Sequence, residues 1–142
     1  MGLALVLTLF AGLCLLVQWL GVGLALAALW RKPAGGPAVL PPVTVLRPIC
    51  GIENFLEETL ESTFRADYPT FELIFCAADP DDPAVALVQR LMARHPAVQA
   101  RVLTGDDKVS GNPKLNNLVK GWKAARYDHI LMSDSNVILP PD

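Results

Sequence analysis

The stretch Gly111-Asn-Pro-Lys-Leu-Asn-Asn117, followed by Asp128-His-Ile-Leu-Met-Ser-Asp-Ser-Asn136, decides the fold of this chain. Asn112 before Pro113 is a helix start, a capping side chain followed by a proline at the first helical position. Leu115, Leu118, Val119 and Trp122 recur at helical spacing and give one apolar face, so Trp122 is expected in the core. Lys114 lies in the first turn, beside backbone N–H groups that attract phosphate. Ile130-Leu131-Met132 reads as a buried strand that delivers Asp134 and Asn136 at its carboxyl end. Residues two apart in an extended segment point the same way, so those two side-chain oxygens converge. A cation and an acid–amide pair on one sheet edge make a site for a metal-bound diphosphate, which is what a nucleotide-sugar enzyme needs.

Upstream, the same alternation repeats. Val43-Thr-Val-Leu46 is a first strand ended by Arg47-Pro48, and Asn54 with Glu57 forms a capping-box pattern for a helix whose inner face is Leu56, Leu60 and Phe64. Phe71–Ala78 is nearly all apolar, as a strand covered on both faces should be. Asp82-Pro83 starts a second helix with Val85, Val88, Leu91 and Met92 inward, and 98–103 alternates as a third strand. The order β-α-β-α-β-α-β predicts an α/β fold, a parallel sheet with right-handed crossovers and helices on both faces. Ligands of such sheets bind beyond the carboxyl ends of the strands. Asp79, Lys114 and Asp134 all fall on that rim.

Residues 3–30 are a different material. Only Thr8 and Gln18 are polar there, and no charged side chain precedes Arg31. Length and apolarity make this a transmembrane helix. A cleaved signal peptide is the rival reading, with Ala25-Leu-Ala27 as its cleavage site, but a leader should carry a basic N-region and a shorter apolar run. Arg31 and Lys32 follow at once, and the positive-inside rule puts them, and residues 43–142, in the cytoplasm. The expected arrangement is a single pass through the cell membrane, a Pro/Gly/Ala-rich linker over 31–42, and one domain over 43–142. The balance of 12 Lys and Arg against 14 Asp and Glu carries no basic stripe, which argues against a nucleic-acid partner. Cys50 and Cys76 have no partner at metal-ligand spacing and read as free, buried, structural thiols.

Each site residue has a plain reading beside the chemical one. A carboxylate at the position of Asp79 can accept hydrogen bonds from a uracil or a ribose, or simply close a turn; Asp82 before Pro83 is a helix cap. Asp134-Ser-Asn136 offers hard oxygen ligands for Mg²⁺ or Mn²⁺, which bind through one or two carboxylates plus substrate phosphates, or forms a polar strand-end turn. Lys114, with Asn116 and Asn117, can hold a diphosphate or face solvent. Lys120 and Lys123 are read as solvated, Lys108 as a secondary candidate on the same rim, and His95 and His129 have no assigned chemistry. Phe64 is read as core.

Together these motifs resemble the ceramide glucosyltransferase family, glycosyltransferase family 21, and its bacterial relatives associated with hopanoid biosynthesis. The resemblance is carried by Leu46-Arg-Pro48 with Gly51, Ala66-Asp-Tyr-Pro69, Cys76-Ala-Ala-Asp-Pro-Asp-Asp-Pro83, Gly111–Asn117 and Asp134-Ser-Asn136. It implies a GT-A fold, Rossmann-like and incomplete here, preceded by one membrane helix. It implies an inverting transfer of a hexose or N-acetylhexosamine from a UDP-sugar donor to a lipid acceptor in the membrane, such as ceramide or a hopanoid. Asp79 would match the family's first aspartate, at the nucleotide, and Asp134 the second, at the metal and diphosphate. The usual nucleotide-sugar signature has an aspartate where this chain has Asn136, which weakens the charge available to a metal. The family's third aspartate, the expected base, and its Gln-x-x-Arg-Trp motif are not within these 142 residues. The resemblance therefore implies the donor-binding half of the enzyme, inactive by itself, from a truncated gene or a partial sequence. A non-catalytic membrane-anchored fragment that binds nucleotide or a partner is the alternative.

Overall fold

The computed structural model describes residues 2–30 and 39–141. Two compact units result, 1–38 and 39–142. The first holds helix α1, Gly2–Trp30, whose 29 residues, with a mean hydropathy of 2.3 over an 18-residue window, make it long and apolar enough to cross a membrane. At about 1.5 Å per residue it exceeds a hydrocarbon core of roughly 30 Å. Arg31, Lys32 and most of the expected linker lie outside the described residues.

The second unit runs β1 (Val43–Pro48), α2 (Leu56–Phe64), β2 (Phe71–Ala77), α3 (Pro83–Arg94), β3 (Ala100–Thr104), α4 (Pro113–Ala124) and β4 (His129–Met132). All strand pairs are parallel and the order is β3-β2-β1-β4. The alternation expected from sequence is therefore present, and the side-chain period of two sorts the interior into two layers. Val45, Leu73, Phe75 and Ala77 face α2 and α3, whereas Leu46, Ile74 and Cys76 face α4. Phe64 is core as expected, its ring stacked 5.7 Å from that of Phe75.

Local capping explains two of the helix starts. Asp82 Oδ1 accepts from the N–H of Ala84 at 2.8 Å, and Asn112 Oδ1 from that of Lys114 at 3.0 Å, each just before a proline. The Asn54–Glu57 capping box does not form: Phe55 precedes α2 in the left-handed region at φ 63° with no capping side chain. Three further expectations need correction. β1 runs on through Arg47, whose side chain is buried. β4 is an edge strand rather than a buried one, with Leu131 46% and Met132 56% exposed, because only β1 pairs with it among the described residues. Trp122 is 58% exposed, because α4 meets the sheet through Leu118, Gly121 and Ala124 and the indole falls beside that stripe.

Candidate functional site

The chain reverses direction across the sheet between β1 and β4. From β1 it steps to β2 and β3 on one side, then α4 carries it back over the opposite face to β4 on the other side. The carboxyl ends of β1 and β4 thus part around a crevice, the usual ligand position in an open parallel sheet. A cavity of about 330 Å³ lies there, with Pro48 at the end of β1 and Ile49 and Cys50 after it, Lys114 and Asn117 from α4, and Asp134 to Asn136 after β4 on its walls. Its size falls within the ordinary range for small-molecule sites. A second cavity, of about 370 Å³, lies at the amino ends of the strands and is lined mainly by apolar side chains such as Val43, Phe71 and Leu131. Of the two, only the first is lined by charges of both signs, Glu53, Lys114 and Asp134.

Lys114 and Asp134, from different elements, meet there as an ion pair between Nζ and Oδ1. The backbone beneath Asp134 is held from below by Arg47. This guanidinium, 1% exposed, donates from Nη2 to the carbonyls of Asp134 at 2.6 Å and Val137 at 2.7 Å. Its Nη1 donates to the Thr59 carbonyl at 2.9 Å and to Thr63 Oγ1. Thr59 Oγ1 adds a bond to the Ser135 carbonyl at 2.6 Å. Desolvation pulls the Arg47 pKa down to about 10, opposed by the nearby Asp134 charge, and the group remains protonated at neutral pH. From the sequence Arg47 reads as a strand end and as part of the Leu46-Arg-Pro48 motif, with no role at the site. Its burial and its reach of nearly ninety positions along the chain leave no local signal.

The remaining candidates divide. Asn117 is buried on the cavity wall, its amide oxygen accepting from Lys120 Nζ at 3.0 Å. Asn136 is exposed on the opposite wall. Asp79 is exposed on the same rim but not on the cavity wall, where Ala78 stands instead, and its Oδ1 accepts from the N–H of Asp81 at 2.9 Å. Asn116 is committed to the preceding loop, accepting from the N–H of Ser110 at 2.9 Å and donating to its carbonyl at 3.2 Å. Lys120 is not a solvated helix residue: Nζ donates to the carbonyls of Ala77, at 2.7 Å, and of Gly105, tying off the ends of β2 and β3. Lys108, at φ 46°, is exposed in its loop. Cys50 is exposed and lines the cavity, so it is not the buried thiol expected, whereas Cys76 is buried and desolvation pushes its pKa up to about 11. His95 pairs with Glu61 at 3.1 Å, away from the cavity. Glu53 is a carboxylate on the cavity wall that sequence reading did not select.

The sequence profile of Glycosyl transferase family 21 matches residues 13–142. The chain belongs to that family. Relatives of family 21 include the ceramide glucosyltransferase of Komagataella phaffii, 43% identical over 111 residues, which cover 75% of this chain and 22% of that protein. Ceramide glucosyltransferase 1 of Caenorhabditis elegans is 41% identical over 103 residues, 72% of this chain and 22% of the relative. The family 21 chain described here thus spans about a fifth of the length of these relatives. Among solved structures, the mannosyltransferase PcManGT from Pyrobaculum calidifontis, in complex with GDP-Man and Mn²⁺, superimposes with a TM-score of 0.65 at 23% identity, covering 78% of this chain and 32% of that one. S. aureus TarS in complex with UDP-GlcNAc gives 0.50 at 21% identity, over 67% and 26% of the two chains. This family 21 chain has the GT-A architecture, with a parallel four-stranded sheet and one helix able to span a membrane.

Proposed function

We propose that residues 43–142 are the donor-binding part of a membrane-anchored, inverting glycosyltransferase. The donor is a UDP-sugar carrying a hexose or N-acetylhexosamine, and the acceptor a membrane lipid such as ceramide or a hopanoid. The observation that carries this reading is the meeting of Lys114 and Asp134 on the wall of the switch-point cavity. The names of the relatives, ceramide glucosyltransferases, support the lipid acceptor. Arg31 and Lys32 beside the uncharged helix support an anchor with the domain on the cytoplasmic side. A linker over 31–42 separates the two.

Among the described residues no group of three or more His, Cys, Asp or Glu could hold a metal by itself. The donor set does fit Mg²⁺ or Mn²⁺ shared with a diphosphate, because such ions take one or two protein oxygens and complete their shell with phosphate and water. Asp134 would be the charged ligand and Asn136 the neutral one. When bound, the ion supplies Lewis-acid stabilisation of the departing diphosphate. Lys114 sets an ammonium at the same charge, and the two neighbouring backbones fix where that charge is offered. Electrostatic stabilisation of this kind usually dominates such a reaction. Asn117, its oxygen taken by Lys120, keeps its amide N–H groups for the phosphates. Asp79 lies one step along the rim, where a uracil or ribose extending from the diphosphate would meet it.

The test is a calorimetric titration of the whole chain, in detergent micelles, with UDP in the presence and absence of Mn²⁺. Asp134→Asn should abolish the metal-dependent component, and Asp79→Asn should weaken UDP binding without removing it. UDP and Mn²⁺ binding unchanged in both variants would overturn the donor-site reading and leave the sheet as a scaffold for another partner.

A further inference from the structure

We propose that Lys114 is the resident counter-ion of Asp134, so that divalent cation and nucleotide diphosphate bind only weakly alone and strongly together. This rests on the cavity being the donor site. In the structure the Asp134 carboxylate is engaged by the Lys114 ammonium, and each side chain is about half exposed, at 54% and 52%. A pair so exposed is weak and opens readily.

The backbones under the two groups do not need to move when it opens. Arg47 and Thr59 hold the carbonyls of Asp134, Ser135 and Val137, and Asn112 caps the N–H of Lys114. Exchange of partners is therefore a matter of side-chain rotation. A lone divalent cation must displace the ammonium and then sit beside it, three positive charges against one carboxylate. A lone diphosphate reaches Lys114 only by leaving Asp134 unpaired next to its own negative charge. Together the two ligands accept both released groups: Asp134 turns to the cation and Lys114 to the phosphates, and every charge has an opposite neighbour. The coupling is reciprocal, as linkage requires. An ammonium a few ångströms from a divalent ion in a largely aqueous setting changes the ion's affinity about three- to tenfold.

The experiment compares the parent chain, Lys114→Gln and Lys123→Gln, all in detergent micelles. Mn²⁺ alone is titrated against each by the paramagnetic resonance signal of the free ion, and UDP is titrated calorimetrically in saturating Mn²⁺. Lys114→Gln should bind Mn²⁺ alone about three- to tenfold more tightly than the parent and UDP about tenfold more weakly. Lys123 lies on the exposed face of the same helix, and its substitution should move neither affinity beyond about twofold. A side chain that merely supports the fold would lower both affinities, so the opposed signs are the signature. Unchanged or weaker Mn²⁺ binding by Lys114→Gln, or an equal gain in Lys123→Gln, overturns the counter-ion role while parental UDP binding keeps the donor site. A parent that binds no UDP in Mn²⁺ overturns both.

Discussion

Gly121 of α4 packs on the sulfur of Cys76 in β2 so closely that a Cβ at residue 121 would lie 2.7 Å from Sγ and 3.2 Å from Leu46 Cδ2. Neither neighbour is the free end of a long side chain, so the helix must lift if a methyl is added. Gly121→Ala should therefore destabilise the domain by about 1–3 kcal/mol despite the better helix propensity of alanine. Cys76→Ala vacates the space, and the double variant should recover most of that loss. Urea unfolding of the four members of the cycle measures the coupling. Additive effects would place the contact elsewhere.

Cys76 also sets an alkaline limit. Burial raises its thiol pKa from 9.0 to about 11, with Lys120 opposing. The folded chain keeps this proton where the unfolded chain gives it up, so the contribution is whole below pH 9 and is lost as pH rises towards 11. The loss approaches ~3 kcal/mol at the upper end. Cys76→Ala removes this dependence, and the stability gap between parent and variant should narrow as pH rises across that window. A gap constant with pH would mean that the thiol titrates as it does when unfolded.

Arg47 is the residue on which the site loop depends. Arg47→Met would leave the carbonyls of Thr59, Asp134 and Val137 without their buried donor, at a cost of about 3–5 kcal/mol. Arg47→Lys keeps the charge but cannot fork between two elements, and should recover only part. Amide exchange after β4 should accelerate in Arg47→Lys at a denaturant concentration where β1 and β2 remain protected. Uniform acceleration would mean global loss instead.

Cys50 offers a chemical probe of the cavity. It is exposed on the wall, whereas Cys76 is fully buried. In a Cys14→Ala background only Cys50 should react with N-ethylmaleimide in the native state. The adduct should block UDP binding, UDP with Mn²⁺ should slow its formation, and Cys50→Ser should keep UDP affinity within a few-fold. An adduct that leaves UDP affinity intact would separate the thiol from the donor site.

What the sequence made legible was local chemistry. Asn112-Pro113 and Asp82-Pro83 announce helix starts because cap and proline act within three residues of one another, and both caps form. The strands of the interior are legible because apolar runs bounded by turns have few other uses. The failures are those of distance. Asn54 and Glu57 have the right spacing for a cap, yet the chain enters α2 through Phe55 in the left-handed region. Trp122 has the right spacing for a core, but the approach of Gly121 to Cys76 rotates the buried stripe away from it. Lys120 looks like any helix lysine until the carbonyls of Ala77 and Gly105 are brought to it. At the site, Lys114 and Asp134 were readable as chemistry, whereas Arg47, which holds the loop between them and the core, was not.

The pairing of β1 with β4 also sets an order in time. Val43 pairs with His129, so about 86 residues must be synthesised before the first strand meets its second neighbour. At 5–20 residues per second this is on the order of 4 to 17 s on the ribosome. In that interval β2 and β3 can assemble on one side of β1 while its other edge presents unpaired N–H and C=O groups, a template for any extended segment nearby. Arg47 meanwhile waits without its acceptors from residues 134 and 137. Among the four strands described, the cavity is thus completed only with the fourth, and no nucleotide can guide the steps before it.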